Sequence, residues 1–166
     1  MIGAPPKPPR TPRKPRKAIP RGRMASRRKA PRKLRKSPLA AAKRRCRAAL
    51  SEWVRFRDRE LPCISCGDFL SHHQAGHYLA AGQYKALEFD DRNLAAQCPS
   101  CNGGFGGKVR GNYHEYRVGL IARYGLPYVE AIEARRYDVI KHTVESLDIL
   151  TATYRAKLAQ AKEQAA

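Results

Sequence analysis

Acidic residues are absent from the first 45 positions of this 166-residue chain, although that stretch holds 18 lysines and arginines and nine of the 12 prolines. A segment of this composition cannot bury enough apolar surface to fold by itself, and its prolines exclude a continuous helix before about residue 38. We therefore predict that residues 1–37 form a disordered basic arm. The rest of the chain is nearly neutral, since the first 45 residues account for +18 of the formal net charge of +20.

Long hydrophobic runs are missing as well. No stretch approaches the roughly 18 apolar residues that a membrane-spanning helix needs. No apolar signal region follows Met1, where prolines and cations come instead. We therefore expect a soluble, cytoplasmic protein without a membrane partner.

The basic arm predicts a nucleic-acid partner. Lysines and arginines that neutralise phosphates release counterions, which gives an affinity that is independent of base sequence and falls steeply with salt. Attraction to an anionic membrane surface and simple solubility are the alternatives, but no amphipathic or lipidation signal accompanies the charge. The arm residues that we expect to bind nucleic acid include Arg13, Lys14, Arg27, Arg28 and Lys29.

Four of the five cysteines form two pairs of identical spacing, Cys63 with Cys66 and Cys98 with Cys101. Two thiolates separated by two residues can turn around one ion, and a second such pair completes the tetrahedral sulfur shell of a structural zinc site. Two disulfides, or a redox-active pair beside unrelated thiols, are the alternatives, but disulfides belong to oxidising compartments. We predict a closed zinc site, with Cys46 left as an unpaired thiol in a helix.

Three parts follow the arm. A 3.6-residue apolar period predicts an N-terminal helix over residues 38–60. Residues 61–112 contain both cysteine pairs and predict a zinc-stapled core, whereas residues 113–166 predict C-terminal helices. The fold class is therefore α+β, with a small zinc-bound core, flanking α-helices and the basic arm.

Within the core, Gly67 follows Cys66 at a position where such a turn commonly needs a positive φ. Residues 77–79 and 86–89 are candidate strands. A helix is predicted to start near Arg92, where Asp90 or Asp91 can cap it. Five glycines between residues 102 and 111 predict a mobile loop whose Lys108 and Arg110 can approach a phosphate backbone closely.

The C-terminal part predicts three helices. Residues 113–124 form the first, which Gly125 ends, and Pro127 opens the second. The third starts near Thr143 and carries apolar residues at spacings of three and four. Its apolar stripe either packs on the domain or forms a dimer seam.

Between and just after the cysteine pairs the chain offers His77, Asn93 and Asn102. Phosphodiester hydrolysis needs an activated water, a cation that neutralises charge on the phosphate, and stabilisation of the leaving oxygen. One histidine and one hard metal ion can meet these needs. The alternatives are a histidine that only packs or bonds to the backbone, and asparagines that only cap or stabilise turns.

These residues and their neighbours resemble the NinG family of lambdoid phages, also called Rap, a recombination endonuclease of the HNH or His-Me finger class. The resemblance implies a treble-clef ββα-metal core. It also implies a phage protein in a bacterial host cell that cleaves DNA, above all branched or Holliday-junction DNA, and that works as a homodimer. The segments that carry it are residues 57–59, 61–67, 75–78, 92–102, 111–113 and 116–118.

Carried over position by position, the resemblance implies a role for each site residue. The four cysteines hold Zn²⁺, and His77 is the general base on the attacking water. Asn102 directly follows the last cysteine, as does the asparagine that helps to bind the catalytic Mg²⁺ or Mn²⁺ in the related endonuclease VII. Asn93 matches the middle asparagine of the HNH signature and holds the loop that bears the histidine.

One position departs from the family pattern. Relatives carry Asp-Ala-Gly-His, whereas this chain has Gln74 at the place of the aspartate. Glutamine offers a metal ion an oxygen without charge, so metal affinity falls unless another carboxylate substitutes. The alternative functions are therefore a non-catalytic zinc protein that binds nucleic acid and a general HNH nuclease without junction preference. The candidate substitute carboxylates are Asp68, Glu88, Asp90 and Asp91.

Overall fold

We describe a computed structural model of the chain over residues 37–69, 72–103 and 111–165. The fold in these ranges is α+β, with helices around a two-stranded antiparallel sheet. No helix in the described ranges is both long enough and apolar enough to cross a membrane. Lys108 and Arg110 lie outside the described residues, as do the arm residues predicted to bind nucleic acid. The elements are α1 (Pro38–Arg57), β1 (Gln74–His77), β2 (Leu94–Gln97), α2 (Pro99–Gly103), α3 (Tyr113–Tyr124), α4 (Leu126–Ala134) and α5 (Val144–Gln164).

Helix α1 begins as the sequence predicts and ends three residues before Glu60, the predicted end. The Ser37 side chain accepts a hydrogen bond from the Ala40 amide, and Pro38 occupies the first turn, where no amide is needed. At the other end the buried Asp58 carboxylate accepts hydrogen bonds from the Arg57 guanidinium and from the Ala96 amide in β2. The helix therefore ends where its last side chains tie it to the sheet.

Helix α5 packs on α1, and the two helices together supply most of one hydrophobic core. Thr143 caps it through a reciprocal pair of bonds with Ser146. Leu147 and Tyr154 of α5 are buried against Cys46 and Leu50 of α1. The predicted apolar stripe of the last helix thus serves packing within the chain.

The sheet corrects the predicted strands. Strand β1 ends at His77 instead of beginning there, and residues 85–87 form a turn of 3₁₀ helix where the second strand was predicted. Asp90 does cap a helical turn through the Arg92 amide, but the turn stops at Asn93 and β2 follows directly. Helix-forming residues such as Ala95 and Ala96 occupy β2 because pairing with β1 and complete burial outweigh local propensity.

A second core lies under α3 and α4. Helix α3 has the predicted bounds, and α4 begins at Leu126, one residue before Pro127, where it was predicted to open. Gly125 ends α3 with a φ of 85°, a value at which glycine carries no steric penalty. Tyr116 and Leu120 of α3 pack with Val129 and Ile132 of α4. This core holds α3 against the sheet, since the Tyr116 hydroxyl donates to the carbonyl of Gly76 in β1 at 2.8 Å.

Candidate active site and metal centre

The two cysteine pairs converge on one point. The Sγ atoms of Cys63, Cys66, Cys98 and Cys101 all lie within 4.8 Å of one another, and those of Cys66 and Cys98 are 3.8 Å apart. A tetrahedral zinc ion with Zn–S bonds of about 2.3 Å requires Sγ atoms about 3.8 Å apart. All the cysteines are free thiols, which excludes the disulfide alternative. The cluster is therefore compatible with the predicted structural zinc site, and Cys46 is buried separately in the α1–α5 core.

Backbone groups shape the cluster as well as the cysteines do. Gly67 has a φ of 75°, as predicted, and its amide bonds to the carbonyl of Cys63 at 2.9 Å. The Cys98 amide points at the Cys63 sulfur and the Cys101 amide at the Cys98 sulfur, each at 3.3 Å. Amides aimed at sulfur favour the thiolate, which is the form that binds metal.

His77 sits at the end of β1 in a fixed orientation. Its Nε2 lies 3.1 Å from the carbonyl oxygen of Glu88. A carbonyl only accepts, so the bond requires the proton on Nε2 and leaves the lone pair on Nδ1. Burial lowers the pKa of His77, an effect that the hydrogen bond to Glu88 offsets in part. The half-buried ring is thus held in its neutral form, which can accept a proton.

Helix α1 supports this arrangement through the side chain of Glu88. The carboxylate is buried and accepts from the guanidinium of Arg47 at 2.6 Å, with the Lys43 ammonium 3.5 Å away. Both cations belong to α1. The carbonyl that orients His77 is therefore fixed by ion pairs made on the same residue.

Asn93 is fully buried and ties three backbone groups together. Its Oδ1 accepts from the Leu79 amide at 2.9 Å, and its Nδ2 donates to the carbonyls of Leu79 and Leu87 at 2.9 and 3.1 Å. Leu79 lies two residues after His77, and Leu87 precedes Glu88. The Asn93 side chain thus joins the loop after β1 to the turn that leads to Glu88, the hydrogen-bond partner of His77.

Gln74 and Asn102 meet although they are 28 positions apart. The Asn102 side chain in α2 donates from Nδ2 to Oε1 of Gln74 at 2.6 Å. Gln74 is exposed and Asn102 half-buried. Gln74, at which this chain departs from the family pattern, therefore lies beside the asparagine that is expected to bind a metal ion. Both side chains offer amide oxygens, which carry no charge.

The candidate substitute carboxylates are engaged elsewhere. Asp91 accepts from the Trp53 indole and from the Lys157 ammonium, at 3.1 and 2.6 Å. Burial alone would raise the pKa of Asp90, but hydrogen bonds from Arg92 and the nearby charge of Arg135 outweigh it and lower the pKa.

Asp68 lies at the first cysteine pair, 3.1 Å from the Cys66 sulfur, and the Glu88 carboxylate is held by α1. Across the parts of the chain that the structure describes, only the four cysteines bring three or more histidine, cysteine, aspartate or glutamate ligand atoms together at metal spacing.

A cleft of about 240 Å³ next to His77 contains residues that the sequence did not single out. Tyr113 and Arg136 line it, and Tyr78 follows His77 directly. Tyr113 and Arg136 lie 35 and 58 positions after Tyr78, so no spacing rule links them to the site. An aromatic residue beside the predicted general base was the one local signal available.

Another buried contact also escaped prediction. Gln97, in β2, is fully buried and donates to the Ser65 hydroxyl and the Gly111 carbonyl at 2.8 and 2.9 Å. A Cβ atom on Gly76 would lie 2.3 Å from Oε1 of Gln97. The glycine before His77 is therefore required by close packing of the Gln97 side chain on β1.

The known proteins that the chain resembles belong to one family. Residues 9–164 match the family described as Bacteriophage Lambda NinG protein. The chain is 38% identical to protein ninG of Escherichia phage 933W over 128 residues, which are 76% of this chain and 61% of that protein. It is 38% identical to protein ninG of Salmonella phage P22 and 37% identical to that of Escherichia phage lambda, each over 76% of this chain and 61% and 60% of the relative.

The chain spans about 61% of the length of the curated relatives it matches first. No solved structure matches it. The family match includes both cysteine pairs, His77, Asn93 and Asn102. The chain belongs to the NinG family.

Proposed function

We propose that the chain is a metal-dependent DNA endonuclease with a treble-clef ββα-metal core of the HNH class, related in its site to endonuclease VII. The observation that carries the proposal is the orientation of His77, whose Nε2 meets the Glu88 carbonyl while Nδ1 keeps its lone pair. The order β1, β2, α2 around this histidine supports the fold assignment.

In this proposal Nδ1 of His77 accepts a proton from the water that attacks phosphorus in line. A neutral imidazole is needed for that step, and the lowered pKa keeps the ring neutral into mildly acidic solution. Asn93 acts through the backbone, because its three hydrogen bonds hold the loop after β1 against the turn of residues 85–88, which orients the ring. It is a positioning residue, whereas His77 would be catalytic.

Gln74 and Asn102 are the residues that would hold a magnesium or manganese ion. Their oxygens are of the type that hard cations take, but neither is charged, whereas one or two carboxylates usually bind magnesium in proteins. The set therefore fits such an ion in atom type and only weakly in charge. When bound, the ion would neutralise charge developing on the phosphate.

The four-cysteine cluster would supply the rigid frame rather than the chemistry. We infer that it binds zinc, because its sulfur spacing matches a tetrahedral site and its amides favour thiolates. Both cysteine pairs flank the sheet that carries His77. Zinc would thus fix the relative positions of β1 and of α2, which bears Asn102.

On the basis of the family resemblance, we assign branched DNA as the substrate and phage recombination as the process in which it is cut. Cations in the basic arm, together with Lys108 and Arg110, would supply affinity without base specificity. A homodimer would place two such sites on the two strands that a junction resolvase must cut.

A rival function is supported by the same Gln74–Asn102 pair. The residue that bonds to the Asn102 side chain is a glutamine, which carries no charge. The protein could therefore bind DNA through zinc-stabilised structure and its cations without cutting it. A general nuclease without junction preference differs only in its substrate.

Cleavage assays separate these functions. The full chain, its His77→Ala variant and a His114→Ala control, which removes an exposed histidine of α3, are incubated with linear, nicked and four-way-junction DNA in magnesium. We expect the wild type and the control to cut the junction fastest and His77→Ala to be inactive while still binding DNA. Equal cutting by His77→Ala would remove His77 from the mechanism. Binding without cutting by all three proteins would establish the non-catalytic rival.

A further inference from the structure

The cleft next to His77 has the size and walls of a site for one aromatic ring system. Its volume of about 240 Å³ is below the roughly 300 Å³ at which pockets for drug-sized ligands begin. Tyr84 and Tyr113 lie on its walls, and the exposed amide of Gln83 is at its rim. A planar group with polar edges suits such a lining.

Tyr113 is a preformed stacking surface. Its ring lies parallel to that of the buried Tyr78, with centroids 4.9 Å apart and planes 7° from each other. The two hydroxyls are 3.0 Å apart, which fixes the second ring in its plane. Tyr113 is nevertheless 47% exposed, so the face that Tyr78 does not cover is accessible. Nucleobases stack on such aromatic faces.

Arg136, which lines the same cleft, is a cation that can still donate hydrogen bonds to a ligand. Glu133 is satisfied by the Tyr78 hydroxyl and by Arg117, whose Nε is 3.0 Å from Oε1. The Nε of Arg136 donates to the backbone carbonyl of Glu133 at 3.0 Å, whereas its Nη2 lies 3.8 Å from the Glu133 carboxylate, too far for a hydrogen bond. Arg135, by contrast, is paired with two aspartates. Arg136 is therefore the arginine that can take a phosphate.

We propose that this cleft binds one unpaired nucleotide of a DNA strand, with its base stacked on Tyr113 and its phosphate held by Arg136. That DNA is the ligand rests on the proposed function. The cleft adjoins His77, so a nucleotide seated in it places the neighbouring phosphate beside the proposed general base. Base-paired DNA cannot occupy the cleft, because each base of a duplex is stacked between its neighbours and has no free face.

Binding without cleavage tests this assignment. Affinities of the full chain for a labelled single-stranded oligothymidine and for a fully paired duplex are measured by fluorescence anisotropy, with calcium in place of magnesium. Tyr113→Leu covers Tyr78 but removes the flat ring, and Tyr113→Phe keeps the ring but removes the hydroxyl. Tyr124→Ala is the matched control, since Tyr124 is in the same helix, 39% exposed and also stacked, on Tyr128.

We expect Tyr113→Leu to bind the single strand roughly 5- to 150-fold more weakly, the range for losing one stacked base. The duplex should be bound equally by all variants, because the cations of the arm contribute alike in each. Tyr113→Phe and Tyr124→Ala should match the wild type on both probes. Arg136→Gln should weaken binding of the single strand and reduce its salt dependence.

Two results would overturn the proposal. One is a Tyr113→Leu protein that binds the single strand as the wild type does. The other is an equal loss for single strand and duplex, which would show a structural effect. Neither depends on cleavage, so the cleft assignment and the nuclease assignment fail separately.

Discussion

Replacing Asn93 should be among the most destabilising single changes in the core of the domain. The side chain is fully buried, and its loss in Asn93→Ala leaves the Leu79 amide and the carbonyls of Leu79 and Leu87 without their partner. A buried polar group left unsatisfied costs about 1–3 kcal/mol, and partial relaxation makes about 3 kcal/mol in total a fair expectation. That is a large fraction of a typical domain stability of about 5–15 kcal/mol.

An aspartate at the same position sharpens this prediction. Asn93→Asp can still accept from the Leu79 amide, but its second oxygen would face the carbonyls of Leu79 and Leu87 without a proton to donate. Protonation restores one donor. The loss of stability in Asn93→Asp should therefore be larger at pH 8 than at pH 5, whereas the loss in Asn93→Ala should change little between them.

Urea unfolding followed by circular dichroism, in zinc-containing buffer, measures both effects. Asn102→Ala is the matched control, since Asn102 is half-buried and its side chain bonds to an exposed glutamine. It should lose less than about 0.5 kcal/mol, as surface changes commonly do. The reasoning would be refuted if Asn93→Ala lost no more than Asn102→Ala, or if Asn93→Asp showed no pH dependence.

Three further outcomes are expected. Chelating zinc should unfold the region between the cysteine pairs, because a structural site of this kind contributes about 10 kcal/mol or more to folding. Loss of the circular dichroism signal should coincide with release of one metal ion per chain. An unchanged spectrum would contradict this expectation. Gly119→Ala should destabilise α3 by more than about 1 kcal/mol, since its Cβ would lie 1.8 Å from the backbone oxygen of Ile64; thermal unfolding at or above the wild-type temperature would count against it. Burial lowers the pKa of His77 in the folded state, so the contribution of His77 to stability is complete above about pH 6.5 and is lost as pH falls through the lowered pKa. The wild type should therefore lose more stability than His77→Gln between pH 7 and 5. Parallel curves of stability against pH would show that His77 does not titrate as described.

The helices could be predicted from sequence because their signals are local. Ser37 and Thr143 cap helices by bonding to amides three residues away, and Gly125 ends α3 through its own φ. The cysteine spacing is equally local, since two residues between thiols already define a turn around a metal ion.

The strands were missed because pairing decides them. The sequence of β2 favours a helix, and only its partner β1 and the Asp58 carboxylate, 38 positions from Ala96, make the extended form favourable. Local propensity cannot report a contact at that distance.

The roles of the candidate site residues stay predictions, and the surroundings of those residues could not be predicted from the sequence. His77, Asn93 and Asn102 followed from the family resemblance, and the structure places Asn102 beside Gln74. The Glu88 carboxylate forms ion pairs with two cations of α1. These pairs depend on how α1 packs against the sheet, and no sequence motif specifies that packing. The Tyr113 cleft is assembled in the same way from distant parts of the chain.

Magnesium dependence of cleavage tests the central claim most directly, because the claim makes Gln74 and Asn102 the metal-binding edge of a nuclease site. Single-turnover cleavage is followed across magnesium concentrations for the wild type, for Gln74→Asp, and for Gln160→Glu, which adds the same charge at an exposed position of α5. Gln74→Asp should lower the half-maximal magnesium concentration about tenfold or more, since a unit charge about 4 Å from a cation contributes several kcal/mol near a surface. Gln160→Glu should leave it unchanged. Identical magnesium curves for the three proteins, or no cleavage by any of them, would contradict the account.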